Sequence, residues 1–200
     1  MSGTYPSTPA PLSIEVTSIE PNLVSVATNL RRQVRSRGGQ RWLFKAIYPP
    51  LARADLDSIY AFSIAQRGQY EKFTWVPTTI GTTRGLTAEN PVVDGALAVG
   101  VNAAAVDGLT ASTSNILRAG DFFKFSGHTK VYMVTSDMTS DGSGDATLNF
   151  SPKLSSAVAN NETITTSSVP FQVAFQSDNR QFATDRTGYY SYEVNLVEVT

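Results

Sequence analysis

Two hundred residues, 41% hydrophobic and 10% aromatic, supply enough apolar surface for a packed core in one domain or two small ones. Only 16% are charged, while Ser, Thr, Val, Gly and Asn abound, so the composition favours strands and turns and the class is mainly β. A formal net charge of −1 offers no overall basicity for nucleic acid or an anionic membrane, and the absence of cysteine removes disulfide frameworks, zinc-thiolate sites and thiol nucleophiles.

Residues 1–12 are rich in Ser, Thr and Pro and predict an arm without regular structure, of a kind able to lie on a neighbouring subunit. The segment lacks the basic and apolar regions of a secretory signal, and no apolar run in the chain is long enough to span a membrane. Synthesis and first residence are therefore expected in the cytoplasm. Ile14 and Val16, then Leu23, Val24 and Val26, suggest short strands broken at Pro21. The run RRQVRSRGGQR carries Arg31, Arg32, Arg35, Arg37 and Arg41 around Gly38-Gly39 and reads as a hairpin or loop between two strands. Arginine forks match phosphate oxygens, but the near-neutral chain favours a solvated or subunit-contacting hairpin.

From Gln40 to Trp75 the pattern is sharper. Trp42, Phe44, Ala46 and Tyr48 alternate with Arg41 and Lys45 at the two-residue period of a strand, which Pro49 and Pro50 stop. Leu56, Ile59, Tyr60 and Ile64 then recur at helical spacing and predict an amphipathic helix over about 52–67, ended at Gly68. A second strand, Tyr70 to Val76, places Phe73 and Trp75 on one face.

After Pro77 the chain turns small, aromatic-poor and weakly charged as far as Ser114, which marks a boundary near Gly85. Ala96 to Ala105 is rich in alanine but interrupted by Gly100 and Asn102, so a short strand and turn are expected. Phe123 and Phe125, the turn Ser126-Gly127-His128 and Val131 to Val134 read as a hairpin, followed by a polar loop from Asp137 to Asp145 and a strand pointing Leu148 and Phe150 inward. Phe171, Val173 and Phe175, then Tyr190, Tyr192, Val194 and Leu196, return to the aromatic strands of the first part. The simplest organisation is a discontinuous domain of 1–85 and 169–200, interrupted by a small β module of 86–168.

No constellation for chemistry emerges. His128 is the one histidine, expected in an exposed turn without a role, and no Gly-x-Ser-x-Gly elbow accompanies a serine. Asp137, Asp141 and Asp145 lack the alternate ligand spacing of an EF-hand and read as turn formers, while Gly95 and Gly100 lack the Gly-Lys-Ser/Thr of a phosphate loop. No catalytic residue, cofactor or metal is expected. Aromatics beside basic residues, as in Arg41-Trp42 and Phe123-Lys124-Phe125, meet the crude description of a single-strand nucleic-acid platform, although strict alternation favours inner faces.

The block QRWLFKAIYPPLARADLDSIYAFSIAQRGQYEKFTWVP resembles the amino-terminal half of distal tail proteins of long-tailed, siphovirus-type bacteriophages, and LRAGDFFKFSGHTKVYMVTSDMTSDGSGDATLNFSPKL resembles a second stretch of such tail proteins. The resemblance implies a ring-forming β domain with one helix, an inserted OB-like barrel, and six subunits in a ring joining tail tube to baseplate or tip. DNA would pass only through the lumen, and the virion tail would be the location. Arg31, Arg32, Arg35, Arg37, Arg41 and Lys45 are the expected subunit contacts. The alternatives are a carbohydrate- or single-stranded-nucleic-acid-binding module, or a tail-tube or minor tail protein.

Overall fold

The computed structural model describes residues 3–85, 89 and 91–200. In chain order the elements are β1 (Ser13–Ile19), β2 (Asn22–Val26), β3 (Arg32–Ser36), β4 (Arg41–Ile47), α1 (Arg53–Ala65), β5 (Phe73–Trp75), β6 (Val92–Val93) and β7 (Ala103–Asp107). There follow β8 (Phe122–Phe125), β9 (Tyr132–Val134), β10 (Ala146–Ser151), β11 (Ile164–Thr165), β12 (Phe171–Phe175), β13 (Ala183–Thr184), β14 (Tyr190–Ser191) and β15 (Glu193–Glu198). The described protein is thus mainly β with one helix, as the composition predicts. It divides into two compact units: Thr8–Lys72 with Val173–Val199, and Phe73–Gln172 with residues 3–7. Met1 and Ser2 of the expected arm, and Leu86, the expected start of the inserted module, lie outside the described residues.

In the first unit β1, β4, β15 and β12 lie side by side in that order, all antiparallel. Register places Val16, Phe44, Leu196 and Phe175 in one row across the sheet, and Thr17, Leu43, Val197 and Ala174 in the next. Because side chains alternate between faces, the first row and its companions Trp42, Ala46 and Val194 form the core side. The opposite side carries Glu15, Arg41, Lys45, Glu193 and Asn195 and stays open, all but the half-buried Lys45 being exposed.

Helix α1 covers the expected span with one correction to its stripe. Leu56, Ile59 and Ser63 are buried, whereas Ile64 is half exposed. At 100° per residue, positions 56, 59 and 63 share a narrow line that 64 overshoots. The serine is tolerated there because its hydroxyl is used twice: it donates to the Ile59 carbonyl at 2.8 Å and pairs with the Tyr192 hydroxyl at 3.0 Å. The helix ends in two left-handed residues, Arg67 (φ 55°) and Gly68 (φ 69°). A Cβ on Gly68 would stand 2.6 Å from Asp178 Oδ1, which accepts the Gln69 amide at 3.0 Å. The strand expected from Tyr70 begins only at Phe73, leaving Tyr70 exposed.

The second unit holds a nearly closed, barrel-like antiparallel sheet of six strands in the order β11-β8-β9-β10-β7-β6. Val92 and Thr163 form a bridge between its two ends, with the Val93 amide donating to the Glu162 carbonyl at 3.0 Å and the Ile164 amide to Pro91 at 3.1 Å. Closure satisfies the edge groups that an open sheet would expose. The barrel has one strand more than the five of an OB fold. Phe123, Phe125, Tyr132 and Phe150 fill it with ring centroids 5.3–5.9 Å apart, mostly edge to face. In the same unit Tyr5 is buried and stacks on Phe73 at 5.7 Å, and Thr4 bridges Thr74, the Tyr5 amide donating to the Thr74 carbonyl and the Thr74 amide to the Gly3 carbonyl, both at 2.8 Å. The amino-terminal segment thus forms no strand of its own length but is pinned along β5.

Candidate assembly surface

Of the two readings of the basic run, a hairpin or a loop between two strands, the loop holds: Gly38-Gly39 lies between two strands but does not reverse the chain as a hairpin turn would. Arg32–Ser36 is a strand, β3, and pairs with β2 from Asn22↔Ser36 to Val26↔Arg32. Reversal occurs at Ala27–Leu30, closed by the Ala27 amide on the Arg31 carbonyl at 3.0 Å and the Leu30 amide on Ala27 at 2.8 Å. Gly38 and Gly39, at φ 68° and 76° with open space where a Cβ would stand, let the returning strand bend into β4 instead of reversing it. Opposite them Pro21 interrupts the outgoing strand, and its carbonyl accepts the Arg37 amide at 3.0 Å. β1–β2 and β3–β4 are therefore one long hairpin with a hinge, whose outer part, β2–β3, forms an arm.

Every residue from Thr17 to Gly39 is exposed. Pleating puts Val24, Val26 and Val34 on one face of the arm, with Val24 directly opposite Val34, and Leu23 and Arg35 on the other. Leu30, at the tip, is 84% exposed and held at φ 62°, a conformation β-carbon sterics disfavour in leucine. Of the expected contact residues, the structure gathers Arg31, Arg32, Arg35 and Arg37 on this arm. Arg41 and Lys45 lie apart, on the open face of β4, where Lys45 Nζ is 3.2 Å from Glu193. Val24 and Val26 are legible in the sequence as strand residues but not as surface, and neither Val34 nor Leu30 carries a signal of its own. The one signal was that 20–39 contains no aromatic residue, in a chain whose core is marked by aromatics.

At the base of the arm, on the open face, lies a groove of about 470 Å³ lined by Ile19, Pro21, Arg41, Leu43, Gln176 and Val197, among others.

The barrel places the other candidates differently. His128 is not an exposed turn residue: it is buried, Nδ1 lies 3.0 Å from the Tyr132 hydroxyl, and Nε2 lies 3.0 Å from Ser156 Oγ and 3.3 Å from the Ala157 carbonyl. The tight turn at Ser126-Gly127 folds its ring back against Phe125, at 5.5 Å. Asp121 is buried. Burial alone would raise its pKa, but the Arg118 amide (2.9 Å), the Thr83 hydroxyl (2.7 Å) and the Arg84 amide (3.0 Å) outweigh that and hold the carboxyl below its ordinary 3.8. Exposed Asp141 is also held low, by the amides of Asp145 and Ser143, which donate to its Oδ1 at 3.0 and 2.8 Å in a local turn. Among the described residues no group of three His, Asp or Glu is placed to hold a metal, and no helix is long and apolar enough to cross a membrane. The rings of Trp42, Phe44, Phe123 and Phe125 are buried, leaving no stacking platform at those positions.

Residues 82–169 match the family described as distal tail protein pb9, B domain. The match supports a phage distal tail protein, a structural component with its place in the virion tail, and such a family points away from an enzyme. No curated protein matches the chain.

Proposed function

We propose that six copies assemble into a ring at the distal end of the tail tube, joining it to the baseplate or tip and letting DNA pass through the lumen at ejection. The observation carrying this reading is the combination of a distal-tail B domain at 82–169 with an arm, β2–β3, exposed at every residue. A two-stranded ribbon alone is marginal in water, so the arm gains its order from a partner. Arg31, Arg32, Arg35 and Arg37 act at that contact, and Arg41 and Lys45 border it on the open face of β4. Head-to-tail contacts of one kind close into a ring when the rotation between copies closes. The division of labour follows the sequence: residues 1–85 and 169–200 make the ring, and 86–168 form the inserted module.

Native mass spectrometry of the purified protein, with electron microscopy of virions labelled for it, tests the reading. A closed oligomer of six and label at the distal end of the tube are expected. A chain that stays monomeric at high concentration and is absent from virions overturns it.

A further inference from the structure

The arm and the groove at its base are complementary, and they cannot meet within one chain. The arm runs five residue pairs outward from its hinge, on the order of 16 Å of strand, so its tip stands well beyond its own groove. On the arm are Val24, Val26, Val34 and Leu30, apolar and uncovered. At its base are Ile19, Pro21, Leu43 and Val197, apolar and concave. Leaving both in water forgoes the free energy that burying apolar surface would gain. The left-handed Leu30 points the same way. A leucine held at φ 62° with its side chain in water is unfavourable twice, and local hydrogen bonds at the turn do not require that residue type. The arm and its hinge carry four arginines against Glu20 alone in a chain whose net charge is −1, so the remainder is net acidic, although the groove itself is lined by one charged residue, Arg41.

We infer that the occupant of the groove is the arm of a second copy of this chain. Leu30 rests on the Leu43–Val197 cross-strand pair, and the valine face of the arm lies along Ile19 and Pro21. Each copy then gives an arm and receives one, a heterologous contact rather than a two-fold one. The inference rests on the ring reading above and adds to it which surfaces meet.

The cysteine-free chain makes the test direct. Leu30→Cys and Gln176→Cys, both at exposed positions, are purified separately and mixed under mild oxidation. The mixture is expected to give a disulfide-linked dimer, each variant alone none, and the double variant a ladder ending in a closed ring. In parallel, Val24→Glu with Val34→Glu is expected to weaken assembly by more than about tenfold while the melting temperature of the chain is kept, since both side chains are solvent-facing. An oligomer that forms but yields no mixed crosslink, or Leu30→Cys linking tip to tip, overturns the docking and leaves the ring reading standing. A wild-type chain that never associates overturns both.

Discussion

Two hairpins of this protein, β2–β3 and β8–β9, are built to the same local plan and meet opposite fates. Each is an antiparallel ribbon with apolar residues at alternate positions and a tight reversal. In β8–β9, Phe123, Phe125, Tyr132 and Val134 are at most 1% exposed, because four further strands of the barrel close around them. In β2–β3, Val24 and Val34 each remain 52% exposed, because among the described residues β2 and β3 pair only with each other. Burial is therefore a property of how many strands a ribbon recruits, and a ribbon that recruits none within its own chain is available to another.

The sharpest way to break this contrast is at the barrel. Phe123→Ala removes a ring with no exposure that packs against Phe125, Tyr132 and Phe150, and is expected to cost about 3–5 kcal/mol in chemical denaturation. His128→Ala comes next: it leaves the buried Tyr132 hydroxyl without that partner and is expected to cost about 1–3 kcal/mol, with His128→Gln recovering part of the loss.

Asp121→Asn probes the same unit through pH. The folded-state pKa lies below the unfolded one, so the carboxylate's contribution is present in full above the ordinary value of 3.8 and is lost as pH falls through the folded value. The variant is expected to be less stable at neutral pH by about 1–3 kcal/mol, the gap to the parent shrinking in acid. A gap that widens on acidification would contradict the assignment of the buried carboxylate as the charged acceptor of Thr83, Arg84 and Arg118.

At the arm the expected effect on the single chain is smallest. Val24→Ser with Val34→Ser is expected to change its unfolding free energy by less than about 0.5 kcal/mol, while lowering the oligomer fraction measured by light scattering. Loss of several kcal/mol in the monomer would mean that the arm packs within its own chain, and the contrast between the two hairpins would fall.

Much of the architecture was legible because its signals are local. Alternation of Trp42, Phe44 and Ala46 fixed the face of β4, the spacing of Leu56 and Ile59 fixed that of α1, and the Phe123–Phe125 hairpin and Leu148–Phe150 strand lie where the two-residue period puts them. The candidate surface was half legible. Its arginines stand out by composition, and Gly38-Gly39 does lie in a loop between two strands, but paired glycines with positive φ serve a bend and a hairpin turn equally well, so the reversal at Ala27–Leu30 is not legible. His128 was misplaced for a related reason: a turn position states that the backbone reverses, not whether the side chain faces water.

By itself, then, the sequence determined the mainly β class, the helix, the inward faces of the aromatic strands and the lack of cysteine chemistry, because each follows from residue type and short-range period. Only the tertiary structure decided that β6 and β11 are bridged into a nearly closed barrel, that Ser63 rather than Ile64 faces the core, and that β2–β3 stands clear of any sheet. Those outcomes depend on which distant strands find one another, and strand pairing between residues far apart in sequence leaves no periodicity to read.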